Sequence, residues 1–110
     1  MTSRKPIHER PNDPPALILL SLAGGAKHGH ALAKDIAEFS GVTLGPGALY
    51  GAIARLEERG LIEPLAPQDR RRPYRLTAAG RRSLVAIVNE MRALSDVGAS
   101  RLRLSWEGSR

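Results

Sequence analysis

The pattern of apolar and polar positions changes character at Gly60. Before it, apolar residues recur at helical spacings. Residues 16–23 are apolar nearly all round, which predicts a first helix at the centre of the core. Asp13 stands at its N-cap, Pro14 and Pro15 occupy a first turn whose N–H groups have no helical partners anyway, and Gly24-Gly25 ends it. A second helix is predicted over residues 29–39, with Leu32, Ile36 and Phe39 on the core face and Lys34, Asp35 and Glu38 elsewhere. Ser40-Gly41 punctuates, and Val42-Thr43-Leu44 makes a short link. Gly45-Pro46 opens a third helix with the inward stripe Leu49, Ile53 and Leu56, and Gly60 stops it.

After Gly60 the apolar runs shorten. Residues 61–65 and 74–76 read as strands, joined by a tip that holds Pro67, Asp69, three consecutive arginines and Pro73. Thr77 is the N-cap of a last helix of about 25 residues. Along that helix Leu84, Ile87, Met91, Leu94 and Gly98 step by three, four, three and four, the seam of a helix that lies along another helix. The predicted fold class is mainly α with a small β-hairpin wing. A flexible arm (residues 1–12) precedes a winged helix-turn-helix domain (13–76), a C-terminal dimerisation helix (77–105) and a tail (106–110).

Composition narrows the function. A chain of 110 residues has room for one domain, and 42% hydrophobic with 25% charged residues is the balance of a soluble globular protein. The absence of cysteine excludes disulfides, thiolate metal sites and a Cys nucleophile. The longest apolar run, residues 16–23, falls well short of the roughly 20 residues that span a bilayer. The polar, proline-broken N-terminus lacks the layout of a signal peptide, so the expectation is a soluble, cytoplasmic protein with no membrane partner.

The net charge of +6 is not spread evenly. Residues 67–82 carry six arginines against Asp69, which places nearly all of the excess on the hairpin and the start of the last helix. A focused basic patch beside a helix-turn-helix is the footprint of a polyanion, nucleic acid before anionic membrane. The third helix turns Gly47, Gly51, Ala54 and Glu58 outward, flanked by Tyr50 and Arg55. Two readings fit so small a face: close approach to the floor of the major groove, or a tight helix–helix contact. The adjacent wing favours the groove. Gly47, Ala48, Tyr50 and Arg55 on that helix, with Arg70, Arg71, Arg72, Tyr74 and Arg75 on the wing, are the candidate DNA-binding residues. The forked guanidinium donors suit phosphate oxygens or the minor groove.

The last helix carries Leu84, Ile87, Val88, Met91 and Leu94, more apolar residues than a small domain needs to cover it. A two-fold partner would bury them as a dimer interface and hold two reader helices about 34 Å apart, one turn of duplex. The alternative is that the helix folds back on its own domain.

Four stretches together resemble the PadR family of transcriptional regulators: Lys27-His28-Gly29-His30-Ala31-Leu32, Leu44-Gly45-Pro46-Gly47-Ala48-Leu49-Tyr50, Arg55-Leu56-Glu57-Glu58-Arg59-Gly60-Leu61-Ile62, and Arg72-Pro73-Tyr74-Arg75-Leu76-Thr77-Ala78-Ala79-Gly80. The likeness covers roughly residues 16–94. It implies a homodimeric winged-helix repressor of a pseudo-palindromic operator, of the short form with a single C-terminal helix. Some members are released by a small aromatic ligand near the dimer interface. The resemblance places Gly47, Tyr50 and Arg55 at DNA-facing positions and Tyr74 and Arg75 in the wing. Gly45, Ala48, Gly51 and Ala54 stand where the family often has Ser, Thr, Pro and Lys, so this chain has lost polar groups from its reader helix. Its specificity is then expected to rest on wing contacts and DNA shape.

His28 and His30 lie two apart with no third ligand at metal-binding spacing, so no metal and no cofactor are expected. His30 falls at the start of the second helix, where its protonated ring can meet a phosphate. No catalytic constellation is visible, so the chain is not expected to be an enzyme. Trp106, beyond the seam, is either a candidate for stacking on an aromatic effector or a simple packing residue. Two other functions remain open beside the ligand-released repressor: a constitutive or weakly specific DNA-binding protein without effector, and a winged-helix protein-interaction module.

Overall fold

The computed structural model describes residues 13–104. Helix α1 (Pro14–Ala23) is the central element, packed against every other helix and against the sheet. Ala16, Leu17, Ile18, Leu19 and Leu22 are all buried, as its all-round apolar pattern predicts. Asp13 takes the extended backbone of an N-cap, but its carboxylate makes no capping hydrogen bond; the two prolines supply the start.

Ser21 is the one buried polar residue among the described ones, and its partners explain its place. Its Oγ donates to Asp35 Oδ2 at 2.5 Å, and the Lys27 ammonium donates to its carbonyl at 2.5 Å. That ammonium lies 3.9 Å from the same Asp35 carboxylate. Three groups thus fasten the end of α1 to the two elements that follow it, β1 (Lys27–His28) and α2 (Gly29–Ser40).

Helix α2 buries Leu32 and Ile36 but not Phe39, which is 48% exposed. This corrects the expected core face: the spacing continues to the end of the helix, while the surfaces that cover Leu32 and Ile36 do not reach its last turn. Gly41, at φ 77°, closes α2 in the left-handed conformation that glycine adopts most readily. Helix α3 (Pro46–Glu58) follows the tight link and buries Leu49, Ala52, Ile53 and Leu56.

Strands β2 (Ile62–Pro64) and β3 (Pro73–Leu76) pair antiparallel, with Glu63 opposite Arg75 and Pro64 opposite Tyr74. The sheet has a third member that the sequence pattern does not announce. β1 pairs with β3 on its other edge, Lys27 opposite Tyr74 and His28 opposite Pro73, giving the order β1-β3-β2. The wing is therefore rooted in the segment just before α2.

Helix α4 (Ala78–Leu102) is 25 residues long and starts where predicted. Thr77 Oγ1 accepts from the Gly80 N–H at 3.0 Å and donates to the Gly60 carbonyl at 2.6 Å, while the Thr77 N–H donates to the Leu61 carbonyl at 3.1 Å. Gly80 lies so close to that Leu61 carbonyl that any Cβ would collide with it. The end of α3 and the start of α4 are locked together at this point.

Two expected interface residues of α4 belong elsewhere. Leu84 and Ile87 are buried in the core of the protomer, together with Leu19, Ile53 and Ile62, because the first turns of α4 still lie over the domain. Met91 is half-buried at the core's edge, Val88 is 38% exposed and Leu94 is 72% exposed. The apolar surface left open on the helix lies at Val85, Val88, Leu94, Val97 and Leu102.

Candidate nucleic-acid interface

Three elements converge on one face. From α3, Gly47, Ala48, Tyr50, Gly51, Ala54 and Arg55 are all exposed, because the opposite side of the helix carries the core stripe. From the start of α2 comes His30, exposed, its ring nearly parallel to that of His28 with centroids 6.4 Å apart. From the wing come Arg70, Arg71 and Arg72, also exposed, and half-buried Tyr74.

His30, Tyr50, Tyr74 and the three arginines, with His28 and Gly29, line a single cleft of about 180 Å³. Six of the ten residues proposed from the sequence to touch DNA thus surround one concavity. Gly47, Ala48 and Arg55 lie along the outer surface of α3 instead, and Arg75 faces Glu63 across the sheet.

Gly29 and His28, which the sequence does not single out for DNA contact, give the cleft its shape. The Tyr50 hydroxyl end lies directly over Gly29, where a side chain would collide with the ring. Gly29 therefore lets α3 seat its tyrosine on the start of α2. A glycine set between two histidines at a helix start was the available signal. His28 caps α2, its Nδ1 accepting the Ala31 N–H at 3.3 Å. Its Nε2 lies 3.3 Å from Arg71 Nη1, which brings the wing against α2. A neutral imidazole has one acceptor nitrogen, so the two donors compete for it.

The wing arginines differ in how they are held. Arg72 Nη1 donates to the Leu65 carbonyl at 2.9 Å. Arg75 Nε donates to Glu63 Oε2 at 2.7 Å in a solvent-exposed ion pair, an arrangement worth only about 0–1 kcal/mol that a phosphate can displace. Burial, followed by the nearby Glu57 carboxylate, raises the Tyr74 phenol above its ordinary pKa of 10.0, although Arg72 pulls the other way. Tyr74 therefore presents a neutral hydroxyl, able to donate, at physiological pH.

At the tip, Gln68 and Arg71 exchange both backbone hydrogen bonds, at 2.7 and 2.8 Å, around a two-residue turn. Both turn residues have positive φ, Asp69 at 49° and Arg70 at 68°, the type I′ geometry that suits a right-twisted hairpin.

Among the described residues no group of three His, Cys, Asp or Glu side chains is placed to hold a metal ion. No described helix is long and apolar enough to cross a membrane. Trp106 and the arm of residues 1–12 lie outside the described residues.

Comparison with known proteins bears on the family and the fold. Residues 18–86 match the Transcriptional regulator PadR-like family, more than half of the chain. A PadR family transcription regulator from Clostridium difficile is similar in structure, with a TM-score of 0.72 and 28% identity over 81% of this chain and 97% of that one. A transcriptional regulator from Clostridium thermocellum has a TM-score of 0.68 and 27% identity over 79% and 87% of the two chains. An uncharacterized 37.1 kDa protein in transposon TN4556 of Streptomyces fradiae is 48% identical over 86 residues, 78% of this chain. The chain spans only about a quarter of that relative's length, 25%.

Proposed function

The chain belongs to the PadR-like family of transcriptional regulators, and from that membership we propose that it is a homodimeric, sequence-specific repressor acting in the cytoplasm on a pseudo-palindromic double-stranded operator. It is a regulator of transcription, not an enzyme. The observation that supports the DNA reading most directly is the convergence of His30, Tyr50 and the Arg70–Arg72 run around one cleft beside the bare outer face of α3. The α3 face enters the major groove, small enough for its backbone to come near the base edges. The wing arginines take phosphates or enter the minor groove beside it, His30 takes a phosphate, and Tyr74 donates its hydroxyl to the backbone.

The dimer reading rests on the distal half of α4. Leu94, Val97 and Leu102 project beyond the domain, too apolar to be left in water along a helix of this length. A two-fold partner covers them and, with Val88 and Met91 at its proximal edge, sets the spacing of the two reader helices.

Effector-free control is the second version of this function. Of the four aromatic residues, Tyr50 and Tyr74 line the DNA face and Phe39 lies exposed at the end of α2, which leaves Trp106 to serve a small aromatic ligand. Fluorescence of Trp106 titrated with phenolic acids separates the versions: a saturable change accompanied by release of DNA favours the ligand, and no change favours constitutive control.

The central experiment is an anisotropy titration with the DNA upstream of the protein's own gene, across salt concentrations and against random duplex. Tighter binding to the upstream DNA is expected. If Arg70, Arg71, Arg72 and Arg75 of both protomers each meet a phosphate, the log–log salt slope is of order −7. Equal affinity for random and upstream duplex refutes the specific repressor. No duplex binding at all leaves the protein-interaction module.

A further inference from the structure

The wing tip holds a residue that local chain energetics would not choose. In a two-residue type I′ turn both central positions require positive φ, and the second is the usual place of glycine, as in Asn-Gly and Asp-Gly hairpins. Here the pair is Asp69-Arg70, and Arg70 sits at φ 68°. Asp tolerates the left-handed region through its short polar side chain; an arginine has no such compensation. Strain kept at a site where glycine would relieve it points to work done by the side chain.

That side chain is also the unengaged one. Arg71 is turned back to His28, Arg72 to the Leu65 carbonyl and Arg75 to Glu63. Arg70 is exposed and, among the described residues, makes no hydrogen bond or ion pair. A fixed tight turn thus presents one free guanidinium at the outermost point of the wing. The outer face of α3, meanwhile, offers glycine and alanine where base-edge donors would stand.

Resting on the DNA-binding reading above, we propose that Arg70 is a specificity-determining residue, which selects A·T-rich minor groove through groove width and the absence of the guanine amino group. Runs of A·T pairs narrow the minor groove and deepen its negative potential, and an inserted arginine gains more there than in a wide groove. The guanine N2 amino group obstructs the floor of the same groove. Arginine suits the task better than lysine because its charge is more weakly hydrated and loses less on entering a narrow slot. Selectivity in this protein is thereby shifted from the reader helix to the wing, and the strained turn holds the reading side chain in place.

The test uses the full chain and three duplexes long enough for two half-sites, identical in purine–pyrimidine order but built from A·T, I·C or G·C pairs. Inosine–cytosine pairs present the minor groove of A·T and the major groove of G·C. The wild-type protein is expected to bind A·T and I·C alike, each about tenfold more tightly than G·C. In Arg70→Gly the preference falls below about twofold and the salt slope of the dimer shrinks by about 2. Its melting temperature is not lowered, since glycine takes positive φ freely. Arg70→Lys keeps the slope and loses part of the preference. Three results would overturn the proposal: I·C bound like G·C, a preference that survives in Arg70→Gly, or a clearly lower melting temperature for that variant. Failure of the wild type to bind any of the three duplexes would instead overturn the DNA-binding reading itself.

Discussion

The two halves of α4 continue one apolar stripe into opposite surroundings. Leu84 and Ile87 lie in the protomer's core, while Leu94 and Leu102, further along the same helix, are 72% and 69% exposed. Nothing in the periodicity separates them. The difference comes from the extent of the domain beneath: α1 and the sheet cover the first turns, and the rest of the helix runs past them. A heptad-like seam therefore reports that a helix has a partner along its length, and two partners can share it in succession. The proximal half answers to folding of the single chain; in the proposed dimer the distal half answers to association.

Substitutions along α4 separate those roles. Ile87→Ala carries the largest expected effect, a loss of about 2–5 kcal/mol in chemical denaturation at any protein concentration, because it opens a cavity in a covered core. Should Ile87→Ala cost less than Leu94→Ala, the division of the helix would be wrong. Gly80→Ala comes next, at about 1–3 kcal/mol, as its Cβ must push the Leu61 carbonyl away and loosen the joint between α3 and α4. Thr77→Ala removes the cap of α4 and the bond to the Gly60 carbonyl, for about 1 kcal/mol. It should also raise amide exchange in the first turn of α4 while leaving the distal turns unchanged. Leu94→Ala is expected to change the stability of the isolated protomer by less than about 0.5 kcal/mol. Its effect is expected in the proposed dimer: the melting temperature of the wild type should rise with protein concentration, and that dependence should weaken in the variant. A wild-type protein that sediments as a monomer at micromolar concentration would remove the distal half's proposed role altogether.

The interface shows a parallel contrast between α3 and the wing. Helix α3 is regular, with its charges at its C-terminal end, and its outer surface near the N-terminus is nearly featureless. The wing is short, strained at its tip and dense in arginine. Most of this was legible in the chain. Small residues opposite an apolar stripe identify the outer face of α3, and Arg70-Arg71-Arg72 between two prolines marks a basic hairpin. The unequal standing of the arginines was not legible. It depends on Glu63, Leu65 and His28 arriving beside them, and His28 comes from 43 residues away in the chain.

Local chemistry was thus sufficient wherever a signal and its consequence lie within a few residues of each other. Proline at the start of α1 and α3, glycine after α2 and α3, Thr77 at the start of α4 and the 3.6-residue stripes determined four helices and a wing from the sequence by itself. Tertiary structure alone decided that β1 joins the sheet, since two residues carry no periodicity and pair only because β3 offers a free edge. It decided too that Phe39 is exposed, that Gly29 makes room for Tyr50, and that the seam of α4 divides between core and open surface. In each of these cases the outcome depends on which surfaces meet after the chain has folded back on itself, and the spacing of side chains along one helix or strand does not encode that meeting.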